Sequence, residues 1–146
     1  MWRSGGGCRL YLYDQNESLT WGAGSATNEG VFTAGQWHNV VFQVSLNNPG
    51  MSDGFSRIFV DGQEILTEEG VEFRGTGGEH TKIQKFLFST FHGGSNPAWA
   101  PVDAAGNFTT VYSYFDNIVI TEGIHSADEL AELAAKTEAL EVALKE

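Results

Sequence analysis

The sequence is short of cysteine and basic residues, and each shortage removes a class of protein. One cysteine, Cys8, among 146 residues excludes an internal disulfide framework and any zinc site built on several thiolates. Nothing around Cys8 points to a lowered thiol pKa, so it reads as a small core residue. Eight Lys and Arg residues against nineteen Asp and Glu give a net charge of −11. No basic run is available to neutralise phosphates, so a nucleic-acid partner is not expected. No apolar stretch reaches membrane-spanning length, and no membrane association is expected. The N-terminus, Met1-Trp2-Arg3-Ser4-Gly5-Gly6-Gly7, lacks the apolar core of a signal peptide. Histidines 38, 80, 92 and 125 do not follow a metal-ligand spacing, and the loops of Asp53 and Asp103 lack the alternating oxygen ligands of a strong calcium site. The glycines at 5–7 are not followed by the Gly-Lys-Ser/Thr of a phosphate loop, and no nucleophile-elbow serine is present. No metal and no cofactor are expected.

Glycine (18 residues) and aromatics are abundant, a mixture suited to short strands, tight turns and a core filled by broad side chains. The clearest strand runs from Asn39 to Leu46, with Val40, Phe42, Val44 and Leu46 on one face. Arg57-Ile58-Phe59-Val60 and Gln63-Glu64-Ile65-Leu66 flank Asp61-Gly62, a strong hairpin signal because both turn positions favour positive φ. Val71–Arg74, Lys82–Phe91 and Val111–Thr121 are further expected strands. Turn chemistry separates them at Asn47-Asn48-Pro49-Gly50, Gly75-Thr76-Gly77-Gly78 and Gly93-Gly94-Ser95-Asn96-Pro97. Strands at this spacing without interleaved helices predict an all-β fold, an antiparallel sandwich.

After Gly123 the character changes. Ser126-Ala127-Asp128-Glu129 is a capping box, and the residues from there to Glu146 are nearly all strong helix formers. Leu130, Leu133, Leu140 and Leu144 mark an apolar stripe, and Glu132/Lys136 and Glu141/Lys145 are well-oriented i,i+4 pairs. One C-terminal α-helix is therefore expected over 125–146, after a β domain over 1–124. It packs on the sandwich, leads onward, or associates with a second copy. Residues 127–146 hold six acids and two lysines, so −4 of the −11 belongs to this segment and −7 to the rest.

Arg9-Leu10-Tyr11-Leu12-Tyr13 is where chemistry is expected. Period-two geometry places Arg9, Tyr11 and Tyr13 on one face and Cys8, Leu10 and Leu12 on the other. Alternate residues lie about 6.6 Å apart. With the leucine face inward, a cation and two phenols line up outside, a row able to hold and protonate a sugar ring. A tyrosine has a free pKa of about 10, which a neighbouring cation lowers toward useful acid–base work. The same row is also what an ordinary half-exposed strand presents. His92, at the end of Ser89-Thr90-Phe91-His92-Gly93-Gly94-Ser95, could act as an acid, base or ligand, or be a solvated loop side chain. Two sequons, Asn16-Glu17-Ser18 and Asn107-Phe108-Thr109, occur.

Five segments taken together carry a resemblance. They are Met1-Trp2-Arg3-Ser4-Gly5-Gly6 leading to Tyr11-Leu12-Tyr13, Gly35-Gln36-Trp37-His38-Asn39-Val40, Val60-Asp61-Gly62-Gln63, Phe88 to Ser95, and Tyr114-Phe115-Asp116-Asn117. In this order the chain resembles polysaccharide lyase family fourteen, the alginate and glucuronan lyases and their relatives, from its first residue to about Gly123. The resemblance implies a concanavalin A-like jelly roll with a concave face for an acidic polysaccharide, cleaved by β-elimination. It implies a secreted or extracellular location if the chain is part of a longer lyase. It carries over two catalytic positions, Tyr11 and Tyr13; Arg9, Thr90 and His92 are expected as substrate contacts, although neither Arg3 nor Arg9 occupies the family's arginine position. His92 stands where the family usually has phenylalanine. The family's lysine and Ser-x-Arg positions precede Met-Trp-Arg and have no counterpart here, so the chain is expected to be a fragment of a longer lyase, to lack activity, or to have the rest supplied by a partner. The rival readings are a non-catalytic carbohydrate-binding sandwich and an assembly module acting through the helix.

Overall fold

A computed structural model describes residues 2–15, 22, 24–27, 29–90, 96–97, 100–123, 125–126, 128–129, 132 and 135, with residues 2–4 in backbone only. The chain divides into two compact units, residues 1–82 with 122–146, and residues 83–121.

In the first unit, β1 (Trp2–Arg3) turns through a single 3-10 turn at Ser4–Gly6 into β2 (Gly7–Cys8), pairing Trp2 with Cys8 and Arg3 with Gly7. A second antiparallel sheet has the order β3 (Val40–Ser45), β4 (Gly54–Val60), β5 (Gln63–Val71). The β4–β5 turn follows the sequence expectation: Asp61 and Gly62 have φ of 51° and 78°, the paired positive values that a two-residue hairpin demands. Strand β5 ends at Val71, so the short strand expected over Val71–Arg74 is not formed: only Val71 is in a strand, and residues 72–74 are irregular.

The sheet's inner face is set by register. Phe42 pairs with Ile58 and Ile58 with Leu66, placing all three on one face. On that face Leu66 packs with Cys8 and Leu10, and Ile58, Ile65 and Phe32 close around them. The cover ends over β4 and β5. Val40 and Phe42, on the same face of edge strand β3, are 53% and 56% exposed, while Gln43 on the opposite face is buried and donates through Nε2 to the His125 carbonyl at 2.7 Å.

A buried polar centre that the sequence did not disclose closes the far end of the sheet. Asn47 is fully buried. Its Nδ2 donates at 2.8 Å to the carbonyls of Asn48, Met51 and Arg74, and its Oδ1 accepts the Arg74 amide at 2.8 Å. The Asn47 carbonyl in turn accepts Arg74 Nε at 2.8 Å. One side chain thus satisfies the loop after β3 and the chain leaving β5. Asp53 holds the same loop by accepting the Asn48 amide at 2.7 Å and Asn48 Nδ2 at 2.6 Å.

At the other end, His38 Nδ1 lies 2.7 Å from Asp61 Oδ2, and Asp61 Oδ1 accepts the Asn39 amide at 2.8 Å. The hydrogen bond to Asp61 raises the His38 pKa above its ordinary value, outweighing a small desolvation effect. Burial pushes the Asp61 carboxyl up, but the bonds from His38 and Asn39 prevail and hold it below its usual range.

The second unit contains the isolated antiparallel bridge Val102↔Phe108, closed by a turn in which Asp103 Oδ1 accepts the amides of Ala105 and Asn107 at 2.9 Å each. Phe88 packs edge-on against Phe115 (4.7 Å) and stacks near Phe86 (6.4 Å). Two expectations are corrected here. Residues 82–90 and 111–121 form no strands, and their apolar side chains, Leu87 and Ile120 among them, are exposed. Alternation marks a segment able to pair, but a strand exists only where a neighbour supplies the ladder, and the described residues of this unit provide none. The antiparallel β class is therefore observed, while a two-layer jelly roll is not formed among the described residues. The C-terminal stretch gives no continuous helical element among the described residues, although Asp128, Glu129, Glu132 and Ala135 are each helical. Ser126 and Glu129 nevertheless make the reciprocal bonds of the capping box, with the Ser126 amide donating to Glu129 Oε2 at 2.7 Å and the Glu129 amide to Ser126 Oγ at 3.3 Å. The expected stripe Leu130, Leu133, Leu140, Leu144 and the sequon at Asn16 lie outside the described residues.

Two outcomes follow. Asn47→Ala strands several buried partners and should cost about 3 kcal/mol in denaturant unfolding, against less than about 1 kcal/mol for exposed Asn48→Ala; equal effects would refute the hub. For the ion pair, the raised His38 contributes stability that is complete below its unfolded pKa and is lost as pH rises through its folded value. The lowered Asp61 contributes above its unfolded pKa and is lost as pH falls through its folded value. Both contributions are complete between about pH 4 and 6.5. The stability gap between the parent and Asp61→Asn should peak in that window and shrink above neutrality; a gap flat across pH contradicts the ion pair.

Candidate active site

The stretch Arg9–Tyr13 is extended but is not a ladder strand. Arg9 bridges Ala26 and Leu12 is also a bridge residue, and the stretch is tied further by Leu10 N to the Ser25 carbonyl (3.1 Å) and Thr27 N to the Cys8 carbonyl (2.9 Å). Cys8 also donates its amide to Thr27 Oγ1 at 3.0 Å. The partner is thus the strip 24–27, which the sequence reading did not single out.

The strip approaches closely because it carries glycine. A Cβ on Gly24 would meet the Leu10 carbonyl oxygen at 2.3 Å, and the φ of 134° there is one that other residues rarely adopt. A Cβ on Gly22 would lie 2.7 Å from the Leu12 carbonyl and 3.0 Å from the Tyr11 ring. The Trp21-Gly22-Ala23-Gly24 sequence was the available signal: two glycines spaced by one, in a stretch otherwise suited to pairing.

Burial decides which way the row points. Leu10 is 2% and Cys8 5% exposed, both in the apolar cluster with Leu66. Burial raises the Cys8 thiol pKa, ahead of the lowering influences of the N-terminal charge and Thr27, which suits an inert core thiol. The alternating residues Arg9, Tyr11 and Tyr13 consequently share the other face and touch one another. The Arg9 guanidinium carbon sits 5.5 Å from the Tyr11 ring centroid, and Arg9 Nε donates to the Gly24 carbonyl at 3.1 Å. The Tyr11 and Tyr13 rings meet edge to face at 5.5 Å and 85°, and the Tyr13 hydroxyl donates to the Tyr11 oxygen at 3.4 Å. Tyr13 is 58% exposed, open to a ligand.

A small pocket lies on the opposite side of this stretch. It is lined by Leu12 and Asp14, which alternate with the tyrosines, and by Gly24 and Glu68 to Val71. With Asp14, Glu68 and Glu69 on its wall it is unsuited to an anionic ligand, and the tyrosine row is a separate surface. Of the other expected site residues, Thr90 is exposed in the second unit and His92 lies outside the described residues. Among the described residues no group of three or more His, Cys, Asp or Glu side chains could hold a metal ion.

An antiparallel β unit carrying a cation–phenol–phenol row is a framework for proton transfer on a polar ligand. The family model described as Polysaccharide lyase 14 matches residues 1–118, and the chain belongs to that family. Neither the curated proteins nor the solved structures contain a match to it.

Gly24→Ala should push the strip off Leu10 and remove the Arg9 anchor. A loss of about 2 kcal/mol or more of stability is expected, together with a changed Tyr11 ring environment by NMR. A variant as stable as the parent, with unmoved ring signals, would show that the close approach is not required.

Proposed function

We propose that the chain is a lyase domain that cleaves an acidic polysaccharide, a polyuronate such as alginate or glucuronan, by β-elimination at the Arg9–Tyr11–Tyr13 row. The observation that supports this reading is the direct contact of two phenols beside a guanidinium on one exposed face, in a chain of a polysaccharide lyase family.

The reaction asks for three things: relief of negative charge on the uronate carboxylate, a base for the C5 proton, and an acid for the departing glycosidic oxygen. As C5–H is broken its electrons form the C4–C5 double bond, the C4–O bond breaks, and the leaving oxygen takes a proton. Tyr11 suits the base. Its oxygen accepts a hydrogen bond from Tyr13, and the Arg9 guanidinium lies 5.5 Å from its ring centroid. Tyr13 suits the acid, because it holds a donatable proton and is the more exposed of the two. Arg9 suits a uronate carboxylate, which its planar fork can meet through two donors. Thr90 and His92 are proposed as further substrate contacts. A chain with −11 net charge slows the approach of a polyanion, so the favourable field must be local to Arg9.

Unsaturated uronate products absorb in the ultraviolet, which gives the test. Incubation with alginate or glucuronan should raise the absorbance, and Tyr13→Phe, which keeps the ring and loses the proton, should slow the rise about 100-fold or more. No rise with either polymer, while the protein is still retarded in an affinity gel, would replace the lyase reading by a non-catalytic carbohydrate-binding one.

A further inference from the structure

His38 is usefully placed for a second role. Its side chain is only 13% exposed and touches two elements at once. Nδ1 meets Asp61 in the β4–β5 turn at 2.7 Å, and Nε2 meets the backbone of Thr33, with the Thr33 amide at 3.0 Å and the Thr33 carbonyl at 3.4 Å. The Phe32 ring stands edge-on to the imidazole at 5.6 Å.

Thr33 ends a run of chain that lies along the N-terminal segment. Phe32 N donates to the Gly6 carbonyl and Gly30 N to the Gly5 carbonyl, both at 2.8 Å, and Thr27 and Ser25 continue the contact with Cys8 and Leu10. Phe32 itself packs on the cluster formed by Cys8, Leu10 and Leu66. The strip that positions Arg9, Tyr11 and Tyr13 is therefore fastened at its far end by one histidine.

The two Thr33 contacts require different protonation states. A neutral ring with its proton on Nδ1 donates to Asp61 and leaves the Nε2 lone pair free to accept the Thr33 amide. An imidazolium has a proton on Nε2, which opposes the Thr33 N–H and turns instead to the Thr33 carbonyl. At 3.4 Å that bond is long, and shortening it toward the usual 2.9 Å means moving the Thr33 peptide. Phe32, the next residue, carries the movement to Gly6.

We propose that His38 is a proton-operated positioning residue: by exchanging the Thr33 amide for the Thr33 carbonyl it shifts the strip 24–33 against the segment that bears Tyr11 and Tyr13. Its consequence for catalysis rests on the lyase reading above; the coupling itself does not. Asp61 is the charged group that faces His38 from the hairpin turn. The strip presents the uncharged Thr33 and Phe32, and its carboxylate Glu29 sits against Gly5 instead. Neighbours on its own stretch, Trp37 and Asn39, do not titrate.

An amide and ring NMR titration of the full chain tests this. The amides of Thr33, Phe32 and Gly6 and the Tyr11 ring are expected to inflect at the same pH as the His38 ring. In Asp61→Asn that shared inflection should move to lower pH, as the partner charge and its hydrogen bond are lost. A Thr33 amide that stays flat through the His38 titration overturns the exchange. A Thr33 response that stops before Gly6 and Tyr11 overturns the positioning role. The parent titration decides both points without any variant. Coupled inflections in a protein that releases no unsaturated uronate would uphold the latch and defeat the lyase reading, whereas an active protein whose Thr33 amide stays flat through the His38 titration would uphold the lyase reading and defeat the latch.

Discussion

The burial of Leu10 against Leu66 is the contact on which the rest of the site depends. Full burial of a leucine contributes about 1.5–3 kcal/mol, and here it also fixes direction. In extended chain, neighbours alternate, so anchoring Leu10 and Cys8 inward commits Arg9, Tyr11 and Tyr13 to the outside. A slip of one residue would bury a guanidinium and two hydroxyls without partners, at a far larger cost. The aromatic and cation contacts are individually worth about 1 kcal/mol. They refine a row whose existence they do not create.

Around that anchor the first unit is held mostly by polar fasteners. Segment 5–10 is tied to strip 24–32 by backbone bonds that only close approach at Gly24 allows. Asn47 and Asp53 fix the chain after β3, and the His38–Asp61 pair fixes the hairpin tip. An apolar cluster as small as Cys8, Leu10 and Leu66 leaves the sheet exposed at Val40 and Phe42, so the order at each end rests on hydrogen bonds, part-buried around Asn47 and exposed at the His38–Asp61 pair. Such bonds are strong in place and costly when one partner is removed.

What could be read from the sequence were the features set by nearest neighbours. Asp61-Gly62 specified its hairpin, Val40–Ser45 its strand, Ser126–Glu129 its capping box, and the parity of Arg9 to Tyr13 its two faces. Features set by distant partners were not legible. Arg9–Tyr13 was read as a strand, yet its neighbour is a glycine-containing strip with no strong alternation. Lys82–Phe91 and Val111–Thr121 have strand-like composition, but pairing is a relation between segments and no partner was specified. Asn47 resembled any loop asparagine, and its role emerges only when Arg74, 27 residues away, comes within reach. The shared outer face of Arg9, Tyr11 and Tyr13 was legible from parity, while the assignment of Tyr11 and Tyr13 to catalysis stands on the family motif. For Thr90 and His92 the expectation stands on the motif.

The family match over residues 1–118 and the side-chain contacts of the row both support the proposed reaction. The most direct test of their meeting point is where a substrate binds. Titrating a short, defined oligouronate into the protein should move the NMR signals of the Tyr11 and Tyr13 rings and the Arg9 side chain in a saturable way, and leave the exposed Trp37 ring still. Saturable shifts at Trp37 or on the Val40–Phe42 face, with the two tyrosines unmoved, would contradict the account.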